Sequence, residues 1–339
     1  MRYRCVLAGA ALVVSFPPLK AASQTIDYYE QAYLPASHNW AFARAYPAVD
    51  RLFNAFDYGH SILYETLWKK PSASRETLDV REYDFITGKL LVNPPKVPLD
   101  ESAIGPGWTR VAPELLAMFE WAHMLHRQIY DVIADERLSD SKKDAMVREV
   151  VAYYKSRPAL ALSSHPKDMA LMEGQPYSLA FRQRFPRFNG LIWSYHWLQM
   201  TVYDALLATD DRQGRASNVR AVTDRFSGMI NADPRSLPSM MPMTPAIAPL
   251  FTARFTEAAI IFDNLHSLHD VVSDIFANPK VARRDKRRML LSAAAKYRDA
   301  TSNVTSVDDW KKMSLDMGLT EMGGAPPLPS QKQKTVPGS

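Results

Sequence analysis

The chain has a single cysteine, Cys5, among 339 residues. It lies in the N-terminal segment that reads as a signal, so the mature protein would have no disulfide and no thiolate. That excludes zinc fingers, iron–sulfur clusters, blue-copper sites and cysteine nucleophiles together. Any metal must then be held by His, Asp, Glu, Tyr or Met. Glycine is also scarce, at 13 residues. There is no Gly-rich phosphate loop, no Rossmann signature and no nucleophile elbow for a Ser-His-Asp triad. No finger and no aromatic–basic stripe is present, so no nucleic-acid partner is expected. No C-x-x-C-H occurs, which rules out covalent c-type haem. No long alternating run supports a large sheet.

What is present begins with MRYRCVLAGAALVVSFPPLKAAS. Arg2 and Arg4 precede an apolar run of signal length, and Ala21-Ala22-Ser23 offers small residues for cleavage. Residues 1–23 therefore read as a signal peptide, an uncleaved anchor being the alternative, and the protein is expected in the periplasm or outside the cell. Removing it takes Arg2, Arg4 and Lys20 from a formal net charge of +5. Residues 24–320 read as one all-α domain, a helical bundle of four long helices plus shorter ones. The 24 prolines fall mostly between stretches of helical periodicity. Long helices are expected at 41–69, from Pro113 through ADE, at 188–208 and at 250–277, with shorter ones at 139–157, 214–230 and 281–299. A small irregular or β-hairpin excursion is expected at about 72–110, from LDVREYDF and KLLVN joined through Thr87-Gly88. Residues 321–339 are poor in apolar side chains and read as a disordered tail.

One phrase recurs. FDYGH at 56–60, FEWAH at 119–123 and FDNLH at 262–266 are each Phe-acid-x-x-His, in a chain with 8 histidines. Chance would place such a prefix before a given His roughly a few times in a thousand. Residues three and four apart share a helix face. Asp57 with His60, Glu120 with His123 and Asp263 with His266 are thus acid–imidazole pairs beside an aromatic wall. His196 supplies the fourth long helix, with Trp193 where the acid would stand. Four such helices folded as a bundle would direct these groups inward.

Glu120-Trp-Ala-His123 and Asp263-Asn-Leu-His266 resemble the Glu-x-x-His motif of ferritin-like di-iron and di-manganese carboxylate proteins. The resemblance implies an interior di-metal site and oxygen- or electron-handling chemistry, as in a metal-dependent oxidoreductase. The first helix offers Asp57/His60 in place of a lone Glu, and the third offers His196. Such a nitrogen-rich set also suits copper or zinc. The residues leave two other readings open. Two histidines from facing helices could clamp a b-type haem, or the acid–His pairs could form a structural polar network in a binding or accessory protein. His126, His269 and Asp270 are further candidate ligands, and Tyr64, Tyr130 and Tyr203 candidate hydrogen-bond donors. The substrate is not legible. The basic run Arg283, Arg284, Lys286, Arg287 and Arg288 reads as a solvated face, or as a surface for an anionic membrane or a redox partner.

Overall fold

A computed structural model describes residues 32–98, 100–232 and 236–331. The segment read as a signal peptide lies outside them. Eight helices carry the fold: α1 Pro47–Lys69, α2 Pro113–Ala134, α3 Asp140–Lys155, α4 Pro186–Leu207, α5 Arg212–Asn231, α6 Thr256–Ala277, α7 Arg283–Arg298 and α8 Val307–Asp316. The protein is all-α. Among the described residues the only β pairing is an isolated bridge between Lys167 and Val304. Among the described residues no helix is long and apolar enough to cross a membrane.

Burial sorts the helices into two layers. In α6 every residue from Ala258 to Ala277 is buried, and in α4 every residue from Phe188 to Leu206. A helix without a solvated face must sit at the centre. The centre is formed by α1, α2, α4 and α6. The helix that follows α2, α4 or α6 covers it with one apolar stripe. In α3 that stripe is Lys143, Val147, Val150, Val151 and Tyr154; in α7 it is Lys286, Leu290, Ala293, Ala294 and Tyr297. The spacing is the same in both. In both the leading lysine is buried and donates to a carbonyl near the end of the preceding central helix, Lys143 Nζ to Ile133 O at 2.7 Å and Lys286 Nζ to Phe276 O at 2.5 Å.

This likeness extends through the chain. Each central helix is entered from a short helix through one non-helical residue, Tyr46, Ala112, Phe185 or Phe255, with φ between −131° and −142° and ψ between 51° and 66°. Pro47, Pro113 and Pro186 then occupy the first helical position, where a missing N–H costs nothing. The nineteenth position is always an acid: Glu65, Asp131, Asp204 or Asp274. Each acid clasps the short helix of another repeat. Asp131 accepts from Trp40 N and Phe42 N, and Asp274 from Leu179 N and Phe181 N. Glu65 accepts from Gly107 N and Trp108 N, and Asp204 from Leu250 N and Phe251 N. Trp40 and Leu179 both take the left-handed conformation, with φ of 67° and 64°. The first and third repeats thus match, as do the second and fourth. The chain is a duplicated pair of reciprocally clasped helices.

Two expectations are corrected. The hairpin does not form. Glu76–Glu82 and Ile86–Leu90 wind as wide π turns around an α turn at Tyr83–Phe85. Leu78 and Tyr83, five residues apart, are both buried, and a five-residue step fits a π turn where it would split a strand's alternation. The tail is also not disordered as far as residue 331. Met322 is fully buried, Trp197 Nε1 donates to Gly324 O, and Asn218 Nδ2 donates to Ser330 O. Core side chains hold this strap, so its own composition conceals it. Gly323 and Gly324, with φ of 100° and 85°, turn it back over Trp197.

The basic run at 283–288 is partly spent within the chain. Lys286 is buried, Arg283 stacks 3.7 Å over Trp68, and Arg287 pairs with Glu114.

Burial pushes the pKa values of Asp131 and Asp204 up to about 7, against the pull of their two amide donors. Removing such an acceptor strands two N–H groups. Asp204→Ala is expected to cost about 3 kcal/mol in urea unfolding, and Asp204→Asn, which can still accept one bond, about half of that. A cost under about 0.5 kcal/mol for the alanine variant would show that the clasp does not hold the repeats together.

Candidate metal centre

Counted from its first residue, each central helix places the same two positions at its midpoint, the eleventh and the fourteenth. They are Asp57 and His60 in α1, His123 and His126 in α2, His196 and Gln199 in α4, and His266 and His269 in α6. All eight are buried. Six imidazoles from four helices therefore share one volume. His60 and His269 lie 4.2 Å apart between ring centroids, His60 and His196 5.5 Å, and His196 and His269 5.7 Å. His266 stacks on His196 at 4.1 Å, His126 lies 5.8 Å from His266, and His123 5.4 Å from His269. Aromatic rings wall the cluster: Phe56 at 4.3 Å from His60, Phe119 at 4.1 Å from His269, Phe262 at 3.4 Å from His126 and Trp193 at 5.3 Å from His196.

The ring nitrogens of this cluster are mostly without partners in the protein. Neither nitrogen of His60, His196, His266 or His269 makes a hydrogen bond, nor does Nε2 of His126. A buried polar atom left unpaired costs about 1–3 kcal/mol. Burial holds all six imidazoles below their usual pKa, with neighbouring imidazoles adding to the effect for all but His123. They are neutral rings, each with a lone pair to offer. His60, His196 and His269 present nitrogens that all lie within 4.8 Å of one another. Coordination to zinc or a similar ion needs about 2.0–2.1 Å from each nitrogen, so the three rings would draw closer together on a shared ion.

Two of the six are oriented from outside. Tyr203 OH donates to the His126 carbonyl at 3.2 Å and meets His126 Nδ1 at 2.9 Å. The one hydroxyl thus touches both the carbonyl and the ring of His126, and Nε2 of that ring has no protein partner. Asp57 Oδ1 stands 3.6 Å from His123 Nδ1, and its Oδ2 accepts from Arg127 Nη2 at 3.2 Å. Arg127 also donates to Asn54 and reaches Asp50 at 3.4 Å.

Of the residues singled out in the sequence, His60, His123, His196 and His266 converge, and so do His126 and His269. The acids behave differently. Asp57 serves His123 and Arg127 and makes no bond to its own-helix partner His60. Asp263 accepts from Thr244 N, Thr244 Oγ1 and Trp310 Nε1. It thus fastens a short helix and α8, and burial lifts its pKa to about 7. Glu120 is half-buried, close enough to Glu101 for its charge to raise that carboxyl. Asp270 is buried in the fields of Arg182 and Glu173. Tyr64 and Tyr130 donate to the carbonyls of His269 and Gln199. Gln199 and Arg127 were not singled out. The repeated pentapeptide hides them, because FEWAH and FDNLH end on the eleventh position whereas FDYGH ends on the fourteenth. Aligning the helices on their first residues, Pro47, Pro113, Pro186 and Thr256, gives the correct register.

Comparison with protein-family models, with curated proteins and with solved structures finds no match to this chain. The chemistry must be argued from the cluster alone.

If the imidazole nitrogens are uncompensated in the metal-free protein, an apolar replacement should stabilise it. His196→Leu is expected to raise the metal-free unfolding free energy by about 1–3 kcal/mol. A loss of similar size would show that the ring nitrogens are already satisfied, by water.

Proposed function

We propose that the protein binds a transition-metal ion through the neutral imidazoles of His60, His196 and His269, and that the bound ion handles electrons or a very small oxygen species. The carrying observation is the set of nine buried imidazole nitrogens without a protein partner. A structural polar network satisfies its members, and a half-satisfied one is worse than an apolar core. Convergent lone pairs from four helices are what a cation needs, and an all-nitrogen triad suits copper, iron or zinc better than magnesium or calcium.

The redox reading is supported by size. The imidazoles pack against one another and against Phe56, Phe119, Phe262 and Trp193, an arrangement that favours a small occupant over a b-type haem. A cavity of about 10 Å³ adjoins the cluster. It has room for a water-sized molecule but not for an organic substrate. Electrons, or a reactant of two or three atoms, fit such a centre. Export, suggested by the N-terminal sequence, belongs to this reading as well.

When bound, the ion would supply Lewis acidity and, for copper or iron, one-electron chemistry. The chain's own part is to hold neutral imidazoles in place, to exclude bulk water with aromatic walls, and to hold the His126 ring against the Tyr203 hydroxyl.

The test is reconstitution of the mature chain with cobalt(II) or copper. His60→Gln, His196→Gln and His269→Gln are each expected to weaken binding by about 100-fold with the far-ultraviolet circular dichroism unchanged. A folded wild-type chain that takes up no metal would sink the proposal. A copper-loaded chain with no reversible one-electron wave would remove its redox part.

A further inference from the structure

The two halves of the chain differ beside the short helices that the acids clasp, and the difference opens a cavity. In the second half Arg184 closes the short helix Ala180–Arg184. Its guanidinium donates to Ala277 O at the end of α6, and to Ala73 O just past α1 at 3.2 Å. It thereby ties three elements together. In the first half the matching short helix is Ala41–Ala45, and its last residue is an alanine. A methyl group cannot span the gap. A cavity of about 540 Å³ stands there, bordered by Ala45, by Ala134 at the end of α2 and by Arg212 at the start of α5. These elements are the counterparts of the three that Arg184 joins. The volume is that of a small-molecule site.

The charges around the cavity differ from those of the closed half. Arg44, Asp135, Glu136 and Arg137 line it, where the second half has Gln183, Asn278, Pro279 and Lys280. With Arg212, three guanidinium groups face two carboxylates. Arg137 is spent, since its Nε and Nη2 donate to Asp135 and its Nη2 also to Ser37 O. The other two are less engaged. Among the described residues the Arg44 side chain has no acidic partner and donates only to Asn39 O, and Arg212 reaches Glu136 only at 3.7 Å. The excess charge is positive, and it is carried by groups whose planar fork matches a carboxylate or another oxyanion.

One more feature is confined to the open half. Tyr46 lines the cavity, and from it a file of rings runs to the candidate metal centre. Between centroids, Tyr46 lies 5.5 Å from Phe42, Phe42 4.8 Å from Tyr130, and Tyr130 4.2 Å from Tyr203. Tyr203 lies 5.8 Å from His126, His126 5.8 Å from His266, and His266 4.1 Å from His196. In the closed half Ser273 stands in α6 where α2 has Tyr130, and it carries no ring. We propose that the cavity is a docking site for a small organic anion, held by Arg44 and Arg212, which passes one electron along the rings to the bound ion. With copper bound, the donor loses one electron and one proton, the proton leaves to water, and the electron reduces copper(II) to copper(I). The electron route rests on the metal-binding reading, whereas the anion site does not.

The probe is ascorbate, an enolic anion and one-electron donor. Calorimetry on the metal-free, full mature chain should show about one equivalent bound. Arg44→Gln and Arg212→Gln should each weaken binding about tenfold. Ala45→Arg, which restores the side chain of the closed half, should abolish binding and keep the chain folded. A wild type that binds no ascorbate overturns the site, as does binding that survives Ala45→Arg unchanged. Inorganic phosphate bound as tightly as ascorbate overturns the assignment to an organic donor. The electron route is read by stopped flow on the copper(II)-loaded chain. Ala45→Arg and Tyr130→Leu should each slow reduction by ascorbate about tenfold. Trp68→Leu should leave the rate unchanged, although it interrupts the other file of rings from the centre, through Tyr64 and Phe276. Wild-type rates in both Ala45→Arg and Tyr130→Leu overturn the route and leave the anion site standing. A chain that takes up no copper removes the metal reading and the route together, while calorimetry still decides the anion site.

Discussion

The structure depends on a carboxylate about two turns beyond the midpoint of each central helix. Glu65, Asp131, Asp204 and Asp274 each accept two backbone N–H groups from a short helix in another repeat. Those amides are the orphan donors that any helix start presents, and a buried acid is a strong acceptor for them. The clasp is reciprocal within each pair of repeats, so neither helix can slide along its axis without breaking bonds at both ends of the exchange. Axial register is what a midpoint cluster requires. A shift of one helical turn would carry an imidazole about 5.4 Å away from its neighbours. The clasps therefore allow four separate helices to bring six histidines together.

The same logic explains which parts of the fold were legible in the sequence. Apolar periodicity and proline placement marked the central helices, because in them local propensity and burial agree. Where side chains from elsewhere decide the conformation, composition misled. The strap at 321–331 is held by Trp197 and Asn218, and the π-turn segment by pockets that receive Leu78, Tyr83 and Ile86. The histidines were legible and their acids were not. An acid three residues before a His shares its face only approximately, and tertiary demand redirects it. Asp263 is taken by Thr244 and Trp310, Asp57 by a histidine and an arginine of the next central helix. Gln199 could have been found in the sequence, since it stands where the other three central helices carry histidine, but only after alignment on the helix starts.

Duplication also clarifies why the cluster is asymmetric. Four identical helices would give eight equivalent positions and no distinction between ligands. Replacement of one of them by Asp57 and another by Gln199, in opposite halves, alters one side of the cluster and spares the other. The altered side gains a carboxylate and an amide, and these line a small cavity together with Arg127. The unaltered side keeps the three imidazoles of His60, His196 and His269.

Such a centre is poorly suited to standing alone. Nine unpaired nitrogens at about 1–3 kcal/mol each would amount to a cost comparable with the whole stability of an ordinary domain. The packing around them offers nothing in return, since Phe56, Phe119, Phe262 and Trp193 provide no hydrogen-bond acceptor to the rings they touch. A sequence selected only to fold would place leucine or phenylalanine at these midpoints and gain stability by doing so. That it places histidine at six of eight is the observation on which the metal-binding proposal rests. A ligand that binds only the folded chain returns the deficit through its own binding energy. By that argument the unpaired imidazoles are the strongest functional statement in the molecule.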